Sequence, residues 1–148
     1  MKCGIQIILL LFSLFSFSQT DPISKIGKAS TVSFVSDNSG CFGGEIIEYK
    51  LVKTKNGGRT VTIIKKDGKA EIKKLSSKNY AGFVSNFRAS YNKFKDPESV
   101  KQTCTSVSLF FLSDSKNKIK FSNVTCEAEY NPEMFLQNLF RANEGTKK

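Results

Sequence analysis

Four cysteines and 13 acidic side chains are the residues of this chain best able to do chemistry, and it contains no histidine. Without histidine, the chain lacks the usual general base near neutral pH and the commonest metal ligand. Ser-His-Asp and Cys-His catalytic groups therefore cannot be built from one copy of the chain. No sequence motif for a metal, a nucleotide cofactor or a nucleic acid occurs either, so we expect a non-catalytic protein without cofactors.

A pair of carboxylates is the main acid–base arrangement that this composition still allows. Glu127 and Glu129 are two residues apart and would share one face of a strand, whereas Glu45 and Glu48 are three apart and would not. Hydrolysis of a glycoside requires two carboxyl groups about 5 to 9.5 Å apart across a cleft. A secreted hydrolase is therefore an alternative function, and it requires Glu45, Glu127 or Glu129 to converge in a pocket.

Residues 1–18 have the layout of a secretory signal peptide. Lys2 supplies a basic start, an apolar run of about 13 residues follows, and Ser16 and Ser18 place small residues before a cut at Gln19. The run is shorter than the roughly 20 residues that a membrane-spanning helix needs. We therefore predict a secreted or periplasmic protein whose mature chain has no transmembrane span, and Cys3 would leave with the cleaved peptide.

Three cysteines remain after such a cleavage, in a compartment that permits disulfides. In a predicted hairpin, the register that pairs Leu109 with Phe121 also sets Cys104 opposite Cys126. We therefore favour a disulfide between Cys104 and Cys126, which leaves Cys41 as a candidate free thiol in a glycine-rich loop. A disulfide from Cys41 to either of the other two cysteines is the alternative.

Basic residues outnumber acidic ones by 23 to 13, which gives the chain a formal net charge of +10. Residues 50–78 carry ten Lys or Arg residues and only two acidic ones. Such a field favours an anionic partner: an anionic polymer, a lipid head group or an acidic protein. The alternative is that the lysines only keep the sheet soluble and protect its edges. The candidate residues for binding an anionic partner are Lys50, Lys53, Arg59, Lys65, Lys66, Lys73 and Lys74.

Short segments of alternating hydrophobicity predict the strands that would position these residues. In the second strand Ile47, Tyr49 and Leu51 share one face, and in the fourth we expect Ala70 and Ile72 to point inward. Asn-Gly and Asp-Gly sequences supply the hairpin turns between them. The predicted strands of this part are 31–36, 45–54, 59–66 and 69–75, and the last three form a basic meander.

Two helices and a second hairpin complete the prediction. Aromatic residues at spacings of three and four predict a helix over 78–94, and Asn131-Pro132-Glu133 has the cap, proline and acidic residue that begin another. Segments 104–112 and 118–126 pair around the loop 113–117, with Leu109 and Phe111 facing Phe121 and Ile119.

The sequence Gly40-Cys41-Phe42-Gly43, followed by a strand with Tyr49, resembles a family of uncharacterised secreted Bacteroidota proteins. That family carries the signature G-C-F-G-x-C-P-x-Y before a small sheet. Glu45 stands where the family has its second cysteine, and Ile46 stands where it has proline. A cysteine pair within this loop is therefore excluded here, and the resemblance implies a secreted α+β domain without indicating its role.

Together these features predict an α+β fold: a mostly antiparallel sheet of five or six strands covered on one face by two helices. We expect residues 1–18 as the signal peptide, 19–30 as a flexible lead-in, 31–142 as a single domain and 143–148 as a frayed tail. The expected function is that of an exported binding or inhibitor-like domain that recognises an acidic partner. The other alternative, besides the hydrolase, is a structural protein of the envelope with no soluble ligand.

Overall fold

A computed structural model describes residues 21–38, 44–96, 98, 100–103, 107–125 and 127–145. These residues form an α+β fold with a six-stranded antiparallel sheet and three helices. The strands are β1 (Thr31–Asp37), β2 (Ile46–Lys53), β3 (Arg59–Ile64), β4 (Ala70–Leu75), β5 (Ser108–Ser113) and β6 (Lys118–Asn123). The helices are α1 (Pro22–Lys28), α2 (Ser77–Phe94) and α3 (Pro132–Gly145), and a short 3-10 turn (Ala128–Tyr130) precedes α3.

The spatial order of the strands is β4-β3-β2-β1-β5-β6, so β4 and β6 are the two edges. The predicted meander of β2, β3 and β4 is confirmed, and so is the pairing of β5 with β6. Gly57 and Gly68 adopt positive φ angles of 78° and 76° in the two turns of the meander. Glycine tolerates that left-handed conformation because it has no Cβ.

All three helices lie against one face of the sheet and bury an aromatic core there. Phe34 in β1 is fully buried, and its ring lies 5.2 Å from that of Phe83 in α2. The ring of Phe121 in β6 lies 5.2 Å from Phe87 and 5.3 Å from Phe110. The aromatic spacing in α2 therefore reflects packing against the sheet, as expected for an amphipathic helix.

The register of β5 and β6 differs by one residue from the prediction. Phe110 pairs with Phe121 and Leu112 with Ile119, so Leu109 and Phe111 face away from the helices. Residues 109–112 are four consecutive apolar residues, and alternation alone cannot choose which pair of them faces the core. The neighbouring strand decides, because the buried Phe34 in β1 is paired with Leu112, which must then face the core as well.

Strand β4 also differs from the prediction in the direction of its side chains. Ile72 pairs with Thr62 on the helix-free side of the sheet and is 68% exposed. Leu75, opposite Arg59, is the residue of β4 that is buried. The pairing of β4 with β3 puts Ala70 opposite Ile64 and Ile72 opposite Thr62, on the side without helices, so both remain exposed.

The segment predicted as a flexible lead-in contains helix α1 instead. Asp21 caps it by accepting a hydrogen bond from the Ile23 N–H at 3.0 Å, and Pro22 follows at the first helical position. Ile23 and Ile26 are almost completely buried in the core. A helix of seven residues is too short to be stable alone, so this burial is what holds it.

Candidate functional site

Arg59, at the start of β3, is a buried cation and not part of a basic surface. It is 3% exposed, and its guanidinium donates hydrogen bonds to the carbonyls of Gly27, Ala29 and Ser30 at 2.7 to 3.1 Å. The same guanidinium lies 4.2 Å from the ring centre of Tyr80, a favourable cation–π distance. Arg59 therefore joins the end of α1 to the sheet, and the prediction that it binds an anionic partner is corrected.

The other six predicted cations do not form one surface. Lys50 and Lys74 lie on the helix-free side of the sheet, and Lys73 lies on the opposite side. Lys53 is exposed at the end of β2, whereas Lys65 and Lys66 are exposed at the turn between β3 and β4. The basic segment is therefore divided among both sides of the sheet and its turns.

The helix-free side of the sheet combines exposed aliphatic residues with lysines, and none of the described helices covers it. Ile46 is 49% exposed and Val52 is 40% exposed, so this side carries apolar surface in contact with solvent. We call this side the open face and define it by Val35, Ile46, Val52, Ile64, Ile72 and Phe111, together with Lys50, Lys74, Lys118 and Lys120.

Positive charge predominates among the side chains of the open face. The acidic residues of this face are Asp37 and Glu48, against four lysines. The Glu48 carboxylate accepts a hydrogen bond from the Ser33 hydroxyl at 3.0 Å. Lys118 lies 4.8 Å from the ring centre of Phe111 on the neighbouring strand. The exposed apolar residues therefore share the open face with cations on β2, β4 and β6.

Sequence reasoning missed Lys118 and Lys120 as members of this surface. The signal was present, because Lys118 and Lys120 alternate with Ile119 and Phe121 and must point away from any core that holds those two residues. The charge density of residues 50–78 indicates the meander alone. Strand β6 becomes part of the same face only because β1 and β5 join the two halves of the sheet.

A cleft of about 230 Å³ opens on the other side of the sheet, between α3 and the end of the meander. Its apolar lining comes from Ile47, Ile63 and Phe140, each less than 10% exposed. Tyr49 and Gln137 add polar groups to this lining, and Glu45, Lys65, Glu71, Lys73 and Arg141 surround it with charges. We call it the α3 cleft.

A buried carboxylate fixes the wall of the α3 cleft. Glu133 is 5% exposed, and its two oxygens accept hydrogen bonds from Ser36 at 2.5 Å, Asn38 at 2.8 Å, Gln137 at 2.8 Å and Tyr49 at 3.3 Å. It also lies in the first turn of α3, where the helix dipole favours negative charge. Four donors and the dipole together stabilise a carboxylate that has been removed from water.

Tyr49 is held protonated in this arrangement. Burial raises the pKa of its phenol well above the usual range, and the neighbouring Glu133 carboxylate raises it further. The phenol is therefore a hydrogen-bond donor at every physiological pH and cannot act as a general base.

The three carboxylates considered for hydrolysis do not share a cleft. Glu45 lines the α3 cleft, whereas Glu127 and Glu129 do not. Glu127 forms an ion pair with Lys93 at the end of α2, and both Glu127 and Glu129 are exposed. The α3 cleft therefore holds one of the three carboxylates named for the hydrolase alternative, which stays a prediction.

The predicted cysteine chemistry lies outside the described residues, because Cys41, Cys104 and Cys126 all fall in the gaps between them. The described neighbours are close together, since the Thr103 N–H donates to the Val124 carbonyl at 3.1 Å. The register that would set Cys104 opposite Cys126 is not the one observed. The hydrogen bond nevertheless places Thr103 and Val124, which lie close to these cysteines in the sequence, side by side.

Within the described ranges, no three His, Cys, Asp or Glu side chains are grouped as they would be to hold a metal ion. In the same ranges, no helix has both the length and the apolar character needed to cross a membrane. No protein-family model matches this chain, and no curated protein matches it significantly.

Proposed function

We propose that this protein is an exported, non-catalytic binding domain that recognises an acidic protein through the open face. The observation that carries the proposal is the combination of exposed aliphatic residues with lysines on one uncovered side of the sheet. Protein interfaces combine apolar contacts with polar ones. The open face offers both, since Ile46, Val52, Ile64 and Ile72 are exposed around a polar middle that contains Glu48 and Lys50. Its net positive charge calls for an acidic partner.

An acidic protein fits this surface better than an anionic polysaccharide does. Ile46, Val52, Ile64 and Ile72 together expose apolar area that a polysaccharide would leave without complementary contacts. Six strands side by side also present a broad surface, which suits a protein better than a single polymer chain. Aliphatic residues therefore supply the buried contacts, and the lysines supply orientation and the rate of association.

Export is part of the same proposal and rests on residues 1–18. Cleavage before Gln19 would place the domain outside the cytoplasm, where a Cys104–Cys126 disulfide could form. Mass spectrometry of the protein recovered from a secreting host tests both points. The intact mass should fit a chain that begins at Gln19 and has one disulfide, and peptides of the unreduced protein should show that it joins Cys104 and Cys126. Recovery of the uncut chain with all thiols reduced would contradict them.

The binding proposal is tested by comparing two charge variants with the native protein. In the open-face variant, Lys50, Lys74, Lys118 and Lys120 are replaced by glutamine. In the helix-side variant, Lys25, Lys28, Lys78 and Lys95 are replaced by glutamine, which changes the net charge by the same amount. Each protein is immobilised and exposed to the envelope fraction of the organism that produces it naturally. The captured proteins are then quantified by mass spectrometry.

The proposal predicts that acidic proteins captured by the native domain are also captured by the helix-side variant but not by the open-face variant. Their capture should weaken as salt rises, because the charges of the open face are exposed and subject to screening. Equal losses in both variants would indicate binding by net charge alone and would overturn the proposal. If the open-face variant instead loses binding to heparin or anionic lipid vesicles while it still captures the acidic proteins, the choice of an acidic protein as the partner is overturned.

A further inference from the structure

The α3 cleft has the features of a small-molecule site that does not depend on the open face. It lies on the opposite side of the sheet, and its volume of about 230 Å³ is somewhat below the range that drug-sized ligands occupy. Ligand sites of this kind are mostly apolar, with a few polar groups that fix orientation. Ile47, Ile63 and Phe140 provide the apolar part.

The polar groups of the cleft are held in place before any ligand arrives. Gln137 donates to Glu133 at 2.8 Å, and the Tyr49 hydroxyl donates to the same carboxylate at 3.3 Å. Glu133 is in turn fixed by Ser36 and by the first turn of α3. A site whose side chains are already ordered loses less entropy when it binds a ligand.

The charges around the cleft favour an anion. Lys73 is engaged by Glu71 at 2.6 Å, so this pair contributes little net charge. No ion pair joins Lys65 or Arg141 to another described residue, and both side chains are exposed beside the apolar lining. Against these two cations, Glu45 is the exposed carboxylate of the lining that the Lys73 pair leaves over. The carboxylate of Glu133 lies buried behind Tyr49 and Gln137, where four hydrogen bonds occupy its oxygens. The exposed charge around the lining is therefore positive.

From this geometry we infer that the α3 cleft binds a small carboxylic acid with an apolar body. The apolar body lies against Ile47, Ile63 and Phe140, and the carboxylate is held by Lys65 and Arg141. Glu45 repels a second negative charge, so the site selects a monoanion. A neutral molecule of the same shape would lack the ionic contacts, and a cation would meet the two positive side chains.

Three probes that share one phenylpropyl body test the inference: 3-phenylpropionate, 3-phenylpropanol and 3-phenylpropylamine. Each is titrated into the protein purified after secretion of the full chain, and binding is followed by NMR. The acid should bind saturably, at least about fivefold more tightly than the alcohol, and the amine should bind least. The resonances that shift should include those of Ile63 and Phe140.

Two exposed cations of the cleft then provide the variants. Lys65→Gln and Arg141→Gln should each weaken binding of 3-phenylpropionate by up to about fivefold, because each removes one exposed ionic contact. Lys53→Gln is the matched control, because it removes the same charge from an exposed side chain at the far end of β2. Lack of saturation with the acid, equal binding of all three probes, or an equal effect of Lys53→Gln would overturn the inference.

Discussion

On the helix-covered side of the sheet, the charged groups Arg59 and Glu133 are almost completely buried. Both terminal NH2 groups of Arg59 donate to backbone carbonyls, although its Nε has no partner among the described residues, and both oxygens of Glu133 accept hydrogen bonds. On the open face, Lys50, Lys74 and Lys120 are exposed among aliphatic residues. A buried charge on the covered side is therefore committed to holding elements together, because leaving it without partners would be costly. A charge on the open face carries no such structural duty and remains available to a partner.

Two adjacent phenylalanines on opposite sides of the sheet provide the strongest test of the difference between the covered side and the open face. Phe110 is fully buried against Phe34 and Phe121, whereas Phe111 is half-buried on the open face. Phe110→Ala should lower the free energy of unfolding by about 3 to 5 kcal/mol, because it leaves a cavity in the core. Phe111→Ala should lower it by less than half as much. Urea denaturation of the two variants decides the matter, and similar losses would contradict the register of β5.

Arg59 provides the next largest expected effect. Arg59→Met should lower the free energy of unfolding by at least about 3 kcal/mol, because three carbonyls at the end of α1 lose a donor at the same time. Lys50→Met is the matched control on the open face and should change it by less than about 0.5 kcal/mol. Both values can be read from urea denaturation. If Arg59→Met proved as mild as its control, Arg59 would not be the link between α1 and the sheet.

Glu133 tests the same principle with a negative charge. In Glu133→Gln, one oxygen is replaced by an NH2 group that faces donors, so we expect a loss of about 2 kcal/mol in the free energy of unfolding. Glu129→Gln, at an exposed side chain, should be close to neutral. Thermal and urea denaturation of the pair measure the difference, and equal stability of both variants would show that the buried network contributes nothing.

The smallest expected effect is the pH dependence that comes from Asp21. Burial acts to raise the pKa of Asp21, but hydrogen bonds from Arg88 and the Ile23 N–H outweigh it, so the pKa lies below its ordinary value. Asp21 therefore stabilises the fold above about pH 4 and stops doing so as the pH falls through its lowered pKa. Because Asp21 and Arg88 are each more than a third exposed, the contribution is at most about 1 kcal/mol.

Asp21→Asn isolates this ionic term, because asparagine caps a helix as well as aspartate does. The variant should be slightly less stable than the native protein at pH 7, and the difference should shrink as the pH falls towards 2. A difference that persists unchanged at pH 2 would show that the ion pair with Arg88 is not its cause.

Much of the fold follows from local patterns in the sequence. Alternation fixes the inner face of β2 through Ile47, Tyr49 and Leu51, and the aromatic spacing fixes α2. The pattern fails at residues 109–112, where every position is apolar, and at Ile72, which points to the side of the sheet without helices. In both places, pairing with a strand distant in sequence decides the outcome.

The candidate sites were less accessible from sequence than the fold was. Arg59 lies in a segment rich in lysine, and its neighbours in sequence do not indicate that it is buried. The carbonyls that it binds belong to residues about 30 positions earlier. The α3 cleft likewise combines β2, β3, β4 and α3, which only the folded chain brings together. Lys120 became part of the open face through strand order rather than through any neighbouring charge.

The affinity of the open face for an acidic protein captured from the envelope, measured by calorimetry at low and high salt, tests the central claim most directly. At low salt, replacing Lys50, Lys74, Lys118 and Lys120 by glutamine should weaken that affinity at least about tenfold and reduce its dependence on salt. The same number of replacements on the helix side should leave both nearly unchanged. If the helix-side variant loses as much affinity as the open-face variant, the account of the open face as the binding surface is contradicted.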